Sequence, residues 1–369
     1  MKNRISFIVF FSLLLAIPFG SAFALSNIVP APLGYDQYRD DIDHGKMETI
    51  TYYSETVGTE RNAMVYTPPG YSKEKKYNVL YLLHGIGGDE KEWYEQMNPH
   101  HILDNLYAQN KLEPMIVVLP NGRAMKNDGA DGDIFDPEKL AAFETFEYDL
   151  LNDLIPAIES KYPVWENRHH RALAGLSMGG GQSLNFGLKH LDTFSHVGGF
   201  SSAPNTMSPT VLVPDPKETA ERLKLLWLSS GDRDGLTSIS QNFYHYLTEN
   251  KVPHIWYLDD GDHEPKVWSS GLYHFSQLLF EPITSADIRS LVEQLGEEGE
   301  IEDDRSARIL THHMTAVDLY KKAGATEKAV KHMEGFKVLI EQQMENKLIS
   351  EKAYNELKTD ADFLITKWK

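Results

Sequence analysis

Cysteine is absent from all 369 residues, which excludes disulfides, thiolate metal sites, a cysteine nucleophile and lipid attachment through an N-terminal cysteine. The fold must therefore rest on its core. A glycine-rich loop ending in lysine, of the kind that cradles phosphates, is also missing. Beyond the first 24 residues no stretch approaches 18 apolar residues, so no membrane span is expected. Positive charge is scarce: 36 Lys and Arg stand against 54 Asp and Glu, net −18, a balance that repels nucleic acid and anionic membranes. Metal-ligand spacing is lacking as well. The pairs His169-His170 and His312-His313 point to different faces and have no partners at ligand spacing. The acidic loop 127–136, with "NDGADGD" at 127–133, departs from a calcium-loop pattern and reads as a solvated loop near a site mouth. Nothing in these residues requires a cofactor or a metal.

What is present begins with "MKNRISFIVFFSLLLAIPFGSAFA": Lys2 and Arg4, an apolar run, then the small-x-small series Ala22-Phe23-Ala24. This pattern predicts a secretory signal peptide over 1–24 and an extracellular mature chain from Leu25. Without those residues 34 basic side chains face 54 acidic ones, net −20. The length suggests about two domains, and 41% hydrophobic residues suffice for a core.

From Met47 to Phe280 short apolar runs alternate with helical periodicity. The runs are "NVLYLLHG" (78–85), "PMIVVLP" (114–120), "RALAGL" (171–176), "HVGGF" (196–200), "KLLWLSSG" (224–231) and "HIWYLDDG" (254–261); the periodic segments include 143–162. Continuous apolar strands with helical crossovers predict an α/β fold with a mostly parallel sheet covered on both faces. An acidic stretch, "GEEGEIEDD" (296–304), looks like a hinge, and the chain after it is helical only. Apolar positions there repeat at three and four (Ala307, Leu310, Met314, Val317; Ala329, Met333, Phe336, Ile340; Tyr354, Leu357, Ala361, Leu364), with Thr326 and Ser350 placed as caps. The expected domains are 25–283, α/β, and 284–369, a small helical bundle with Thr284 to Leu295 as its leading helix.

Chemistry centres on Gly175-Leu176-Ser177-Met178-Gly179. A G-x-S-x-G motif alone is weak, but here an apolar strand precedes it and a helix-capable segment follows, the strand, sharp turn and helix of a nucleophile elbow. A serine nucleophile needs a base, an orienting acid and an oxyanion hole, and in this architecture the acid and base follow the serine on loops after later strands. "DRDGL" offers Asp232 and Asp234, and "GDHEPKVW" offers His263. Asp234, deeper in its loop, is preferred, with Asp232 the alternative. His190, His245 and His274 fall in helical segments, and His196 and His254 at strand starts. The expected oxyanion donors are the amides of Met178 and of Ile86 in "LLHGIGGDEKEW", with His84 fixing that turn. Trp93 and Trp268 are candidates to stack on a substrate ring, packing under the loop being the alternative.

"YLLHGIGGDEKEW", "FETFEYDLLNDLIPAIESKYPV", "HRALAGLSMGGGQSLNFGL", "SSAPNT" and "GDHEPKVWSSGLYHF" together resemble the esterase D-like family of α/β-hydrolases, above all the carbohydrate esterase family 1 feruloyl esterase modules attached to bacterial xylanases. The resemblance spans roughly Tyr35 to Leu279. It implies a catalytic Ser177, Asp234 and His263, oxyanion amides at Ile86 and Met178, no cofactor, and hydrolysis of feruloyl, p-coumaroyl or acetyl esters of plant cell-wall xylan. The family also holds siderophore esterases, S-formylglutathione hydrolases and mycolyltransferases. A noncatalytic carbohydrate-binding protein on the same fold is the reading from another class. The helical tail is similar to a domain appended to several exported bacterial hydrolases.

Overall fold

The computed structural model describes residues 28–280 and 283–369, so the expected signal peptide over 1–24 lies outside the described residues. Eight strands form one sheet: β1 (Lys46–Ser54), β2 (Thr59–Thr67), β3 (Asn78–Leu83), β4 (Met115–Pro120), β5 (Arg171–Leu176), β6 (His196–Phe200), β7 (Leu225–Gly231) and β8 (Ile255–Asp259). Their order is β1-β2-β4-β3-β5-β6-β7-β8. The β1–β2 and β2–β4 pairs are antiparallel, and the other five are parallel. All six apolar runs of the sequence are strands of this sheet.

Period-two alternation explains why those runs are apolar throughout. In β3, Val79, Tyr81 and Leu83 face one core while Leu80 and Leu82 face the other. In β7, Leu226 and Leu228 oppose Leu225 and Trp227 in the same way. The helices within this α/β unit are α1 (Pro99–Ala108), α2 (Pro137–Asp149), α3 (Ile155–Lys161), α4 (Ser177–Lys189), α5 (Pro209–Leu212), α6 (Pro216–Arg222), α7 (Thr237–Glu249) and α8 (Pro265–Ser276). A π-helical turn, Leu150–Leu154, joins α2 to α3. One face of the sheet is covered through Phe146, Leu184 and Phe243, and the other through Ile102, Leu106, Leu272 and Phe275.

The chain then continues into α9 (Ser285–Glu297), α10 (Asp304–Lys322), α11 (Thr326–Glu345) and α12 (Glu351–Trp368), which enclose a third core of Ile288, Leu310, Met333, Phe336 and Leu357 among others. Two sequence expectations fail here. The acidic stretch 296–304 is not a hinge between units, because it links α9 to α10 within the helical bundle. Ile301 is buried there and bridges to Ile349, so the stretch is pinned. Thr326 is not a cap: it is the first residue of α11, behind Ala325, whereas Ser350 accepts the Ala353 N–H as expected.

The bundle docks on the α/β unit through a buried carboxylate. Asp360 of α12 accepts from Asn167 Nδ2 at 2.8 Å and lies 2.8 Å from His169 Nδ1. Burial disfavours its charge, but His169, within ion-pair distance and hydrogen-bonded to it, prevails with His170 3.5 Å away, and its pKa is held far below the ordinary value. Arg222–Glu298, Lys224–Asp287 and Lys367–Glu113 ring the contact. His169, Lys224 and Glu113 all precede their strands, so the bundle sits at the amino-terminal edge of the sheet. Among the described residues no helix is long and apolar enough to cross a membrane.

Candidate active site

At the opposite, carboxyl-terminal edge, the strand order places β3 and β5 side by side although β4 intervenes in sequence. The chain leaves β3 and β5 toward opposite sides of the sheet, which opens a crevice at this switch point. Ser177 stands there as the first residue of α4, with φ of 52°, in the left-handed region that a serine rarely adopts. The flanking glycines make the turn feasible. A Cβ on Gly175 would lie 2.5 Å from the Gly179 carbonyl oxygen, and one on Gly179 would lie 2.4 Å from that of His84. Only glycine fits such approaches.

The loops after β7 and β8 bring the other two groups. His263 Nε2 lies 3.0 Å from Ser177 Oγ, and its Nδ1 lies 2.9 Å from Asp234 Oδ2. Asp234 Oδ1 accepts the Leu236 N–H at 2.8 Å. Burial alone would raise the Asp234 pKa, but the hydrogen bonds from Leu236 and His263 prevail and hold it below the ordinary carboxylate value. It therefore stays ionised and selects the His263 tautomer with the proton on Nδ1, leaving Nε2 free to accept from Ser177. Asp232 is turned away, accepting from Arg233 and from the Gly261 N–H. Trp268 lies edge-on to His263, with ring centroids 5.0 Å apart, and is itself buried.

The loop after β3 passes beside Ser177: a Cβ on Gly85 would sit 3.5 Å from Ser177 Cβ. His84 fixes its start. Its Nε2 accepts the Gly122 N–H at 2.8 Å, so its proton is on Nδ1, which donates to the Gly85 carbonyl at 2.6 Å. Burial pushes its pKa down to about 4, keeping the ring neutral. The Gly85 carbonyl belongs to the same peptide unit as the Ile86 N–H, so His84 sets the plane of that amide. Among the described residues the Ile86 N–H has no hydrogen-bond partner. Met178 lies in the first turn of α4, where an N–H has no acceptor four residues back and the helix dipole favours negative charge. Met178, Phe143 and Ala203 form a small apolar cluster with Ile86, Leu140 and Leu236 beside the serine.

The structure corrects the expectation for Trp93. Its side chain is 1% exposed, packs edge-on to Phe200 and donates to the Leu83 carbonyl, so it supports the loop from below and offers no face to a ligand. Sequence reasoning also missed supporting groups. Asn205 donates to the Met178 carbonyl, Gln182 to the Gly122 and Phe143 carbonyls, and Arg123 to the loop after β3. The only signal for the first was its position in "SSAPNT"; a lone arginine after β4 carries no spacing signature. Among the described residues no cluster of His, Asp and Glu is arranged to hold a metal ion.

The family described as "Putative esterase" matches residues 54–364. An endo-1,4-beta-xylanase/feruloyl esterase of Xylanibacter ruminicola is 31% identical over 249 residues, 66% of this chain and 32% of that protein. Endo-1,4-beta-xylanase Y of Acetivibrio thermocellus is 31% identical over 162 residues, 41% of this chain and 13% of that protein. The chain thus spans a third or less of these relatives. Among solved structures, a CE1 ferulic acid esterase of Anaeromyces mucronatus superposes with a TM-score of 0.60 at 27% identity, covering 68% of this chain and 96% of that one.

Proposed function

The chain belongs to the Esterase family and is a carboxylic-ester hydrolase of the α/β-hydrolase fold, and from that premise we propose that it is an exported feruloyl esterase. It would release hydroxycinnamic acids from plant cell-wall xylan or its fragments. The observation that carries the reading is the unbroken relay from Ser177 through His263 to Asp234, found on a chain similar to feruloyl esterases.

In this reading Ser177 Oγ attacks the ester carbonyl as its proton passes to His263 Nε2. Asp234 steadies the imidazolium that forms. The Ile86 and Met178 amides receive the negative charge on the tetrahedral oxygen. The alcohol departs with the proton from His263, and water, activated by the same ring, frees the acid from the acyl-enzyme. Trp268 packs against the edge of His263 and limits its tilt, and this is the role we assign it in place of a substrate contact.

The test is the initial rate of the purified protein on methyl ferulate, feruloylated arabinoxylan and acetylated xylan, beside Ser177→Ala. Ferulate release lost by more than about a thousandfold in the variant is expected. Acetate release alone would reassign the enzyme to acetyl xylan. Absence of Ser177-dependent turnover on all three would overturn the reading.

A further inference from the structure

Arg123 lies in the loop after β4 with its side chain wholly buried, which is costly for a cation unless something compensates. Among the described residues no carboxylate hydrogen-bonds it. Its guanidinium donates to three backbone carbonyls: Ile86 at 2.6 Å, Gly88 at 3.3 Å and Asp128 at 2.7 Å. Two of those three belong to the loop that passes Ser177. The cation also lies 5.0 Å from the Phe143 ring centroid. From the other side Glu92 accepts the Gly85 N–H at 2.6 Å, so the loop is held by an acceptor at one end and a donor at the other. The arginine is itself anchored, because Arg61 donates to the Arg123 and Asn121 carbonyls and is paired with the buried Asp149.

We propose that Arg123 is a positioning residue for the oxyanion hole: by tying the Ile86 and Gly88 carbonyls it fixes the direction in which the Ile86 N–H is presented to the developing oxyanion. The inference rests on the reading in which that amide is an oxyanion donor. A loop of glycines has many conformations of similar energy, and an oxyanion donor works only if it is in place before the charge develops. A neutral amide side chain could hold two carbonyls, as Gln182 does here; the planar fork of arginine holds three in one geometry. His84 sets the preceding peptide plane and Arg123 the following one, so the Ile86 amide is held from both sides.

The experiment compares kcat and KM of the parent, Arg123→Met and Arg123→Lys on methyl ferulate and on a short p-nitrophenyl ester, with Ser177→Ala as control. Removing an oxyanion donor outright costs about 100- to 1,000-fold in kcat, so its misplacement in Arg123→Met should cost about 10- to 100-fold on both esters. KM should change by no more than about 2-fold, because the ground-state ester carries no full charge at that oxygen. Arg123→Lys keeps the charge but not the fork, and should recover part of the loss. A merely structural role would lower the melting temperature and leave kcat per folded molecule within about 3-fold, and that result overturns the proposal. Should Arg123→Met not fold, Arg123→Lys carries the test, and a parent-like kcat in it is the overturning outcome. Parent turnover that survives Ser177→Ala overturns the serine-esterase reading itself; Ser177-dependent turnover that ignores Arg123 overturns only this inference.

Discussion

Two aspartates follow β7 within three residues, and their surroundings assign them opposite fates. Asp234 is buried against His263, whereas Asp232 faces Arg233 at the surface. Asp234→Asn should lower kcat by about 1,000- to 10,000-fold, since an amide donor there favours the wrong imidazole tautomer. Asp232→Asn should change kcat/KM by no more than about 3-fold, and the pair of measurements separates the two roles. His84 makes a second prediction at this scale. Its folded pKa of about 4 lies below the ordinary 6.5, so the unfolded chain takes up a proton first as pH falls. The stability His84 contributes is complete above pH 6.5 and is lost progressively down to about pH 4, on the order of 3 kcal/mol in all. His84→Asn, which cannot titrate, should flatten that part of the unfolding-midpoint curve between pH 6.5 and 4; an unchanged slope would refute the assignment.

At the scale of elements, β5, its turn and α4 form a unit whose steric demands are absolute. A Cβ at Gly175 meets backbone at 2.5 Å and Leu83 Cβ at 2.8 Å, and neither can yield without moving β3 or α4. Gly175→Ala should therefore cost about 1–3 kcal/mol of stability and most of the turnover, by moving Ser177 relative to His263. Thermal unfolding and kcat of the folded fraction measure the two effects separately. This element was legible in the sequence, because strand, small-residue turn and helix are consecutive and each has a local signature. The antiparallel β1 and β2 were not. Thr49, Thr51 and Tyr53 are exposed and alternate with half-buried Glu48 and Ile50 and buried Tyr52 and Ser54 at a sheet edge, a weaker pattern than a run buried on both faces. Trp93, at the start of a π-helical turn (Trp93–Met97), shows the same limit, since an aromatic next to a site has the same local sequence whether it faces ligand or core.

For the whole molecule, the sheet separates two ends. The cluster of Ser177, His263 and Asp234 lies beyond the carboxyl ends of the strands, and the helical bundle docks at the amino ends through Asp360. The length of β5, six residues or about 20 Å, stands between them. Asp360→Ala leaves His169 and Asn167 buried without their partner, which costs about 3–5 kcal/mol for a broken buried pair. The expected outcome is a thermal transition that splits in two as the bundle comes loose, with kcat on a small soluble ester within about 2-fold of the parent. Loss of turnover in a protein whose α/β unit still melts at the parent temperature would instead couple the bundle to the site.

The parallel α/β sheet, the elbow at Ser177 and the chain order in which acid and histidine follow it were legible in the order of residues alone. Each of these is written in local periodicity and small-residue turns, which physics reads within a few residues. It took the folded chain to bring Asp234, the preferred aspartate, and not Asp232 against His263, to turn Trp93 inward, and to carry Arg123 to the Ile86 loop 37 residues away. Folding likewise brings Asp360 to close the seam 191 residues from His169. Those contacts depend on which loops the crossover connections bring to one edge of the sheet, and sequence separation carries no record of that distance.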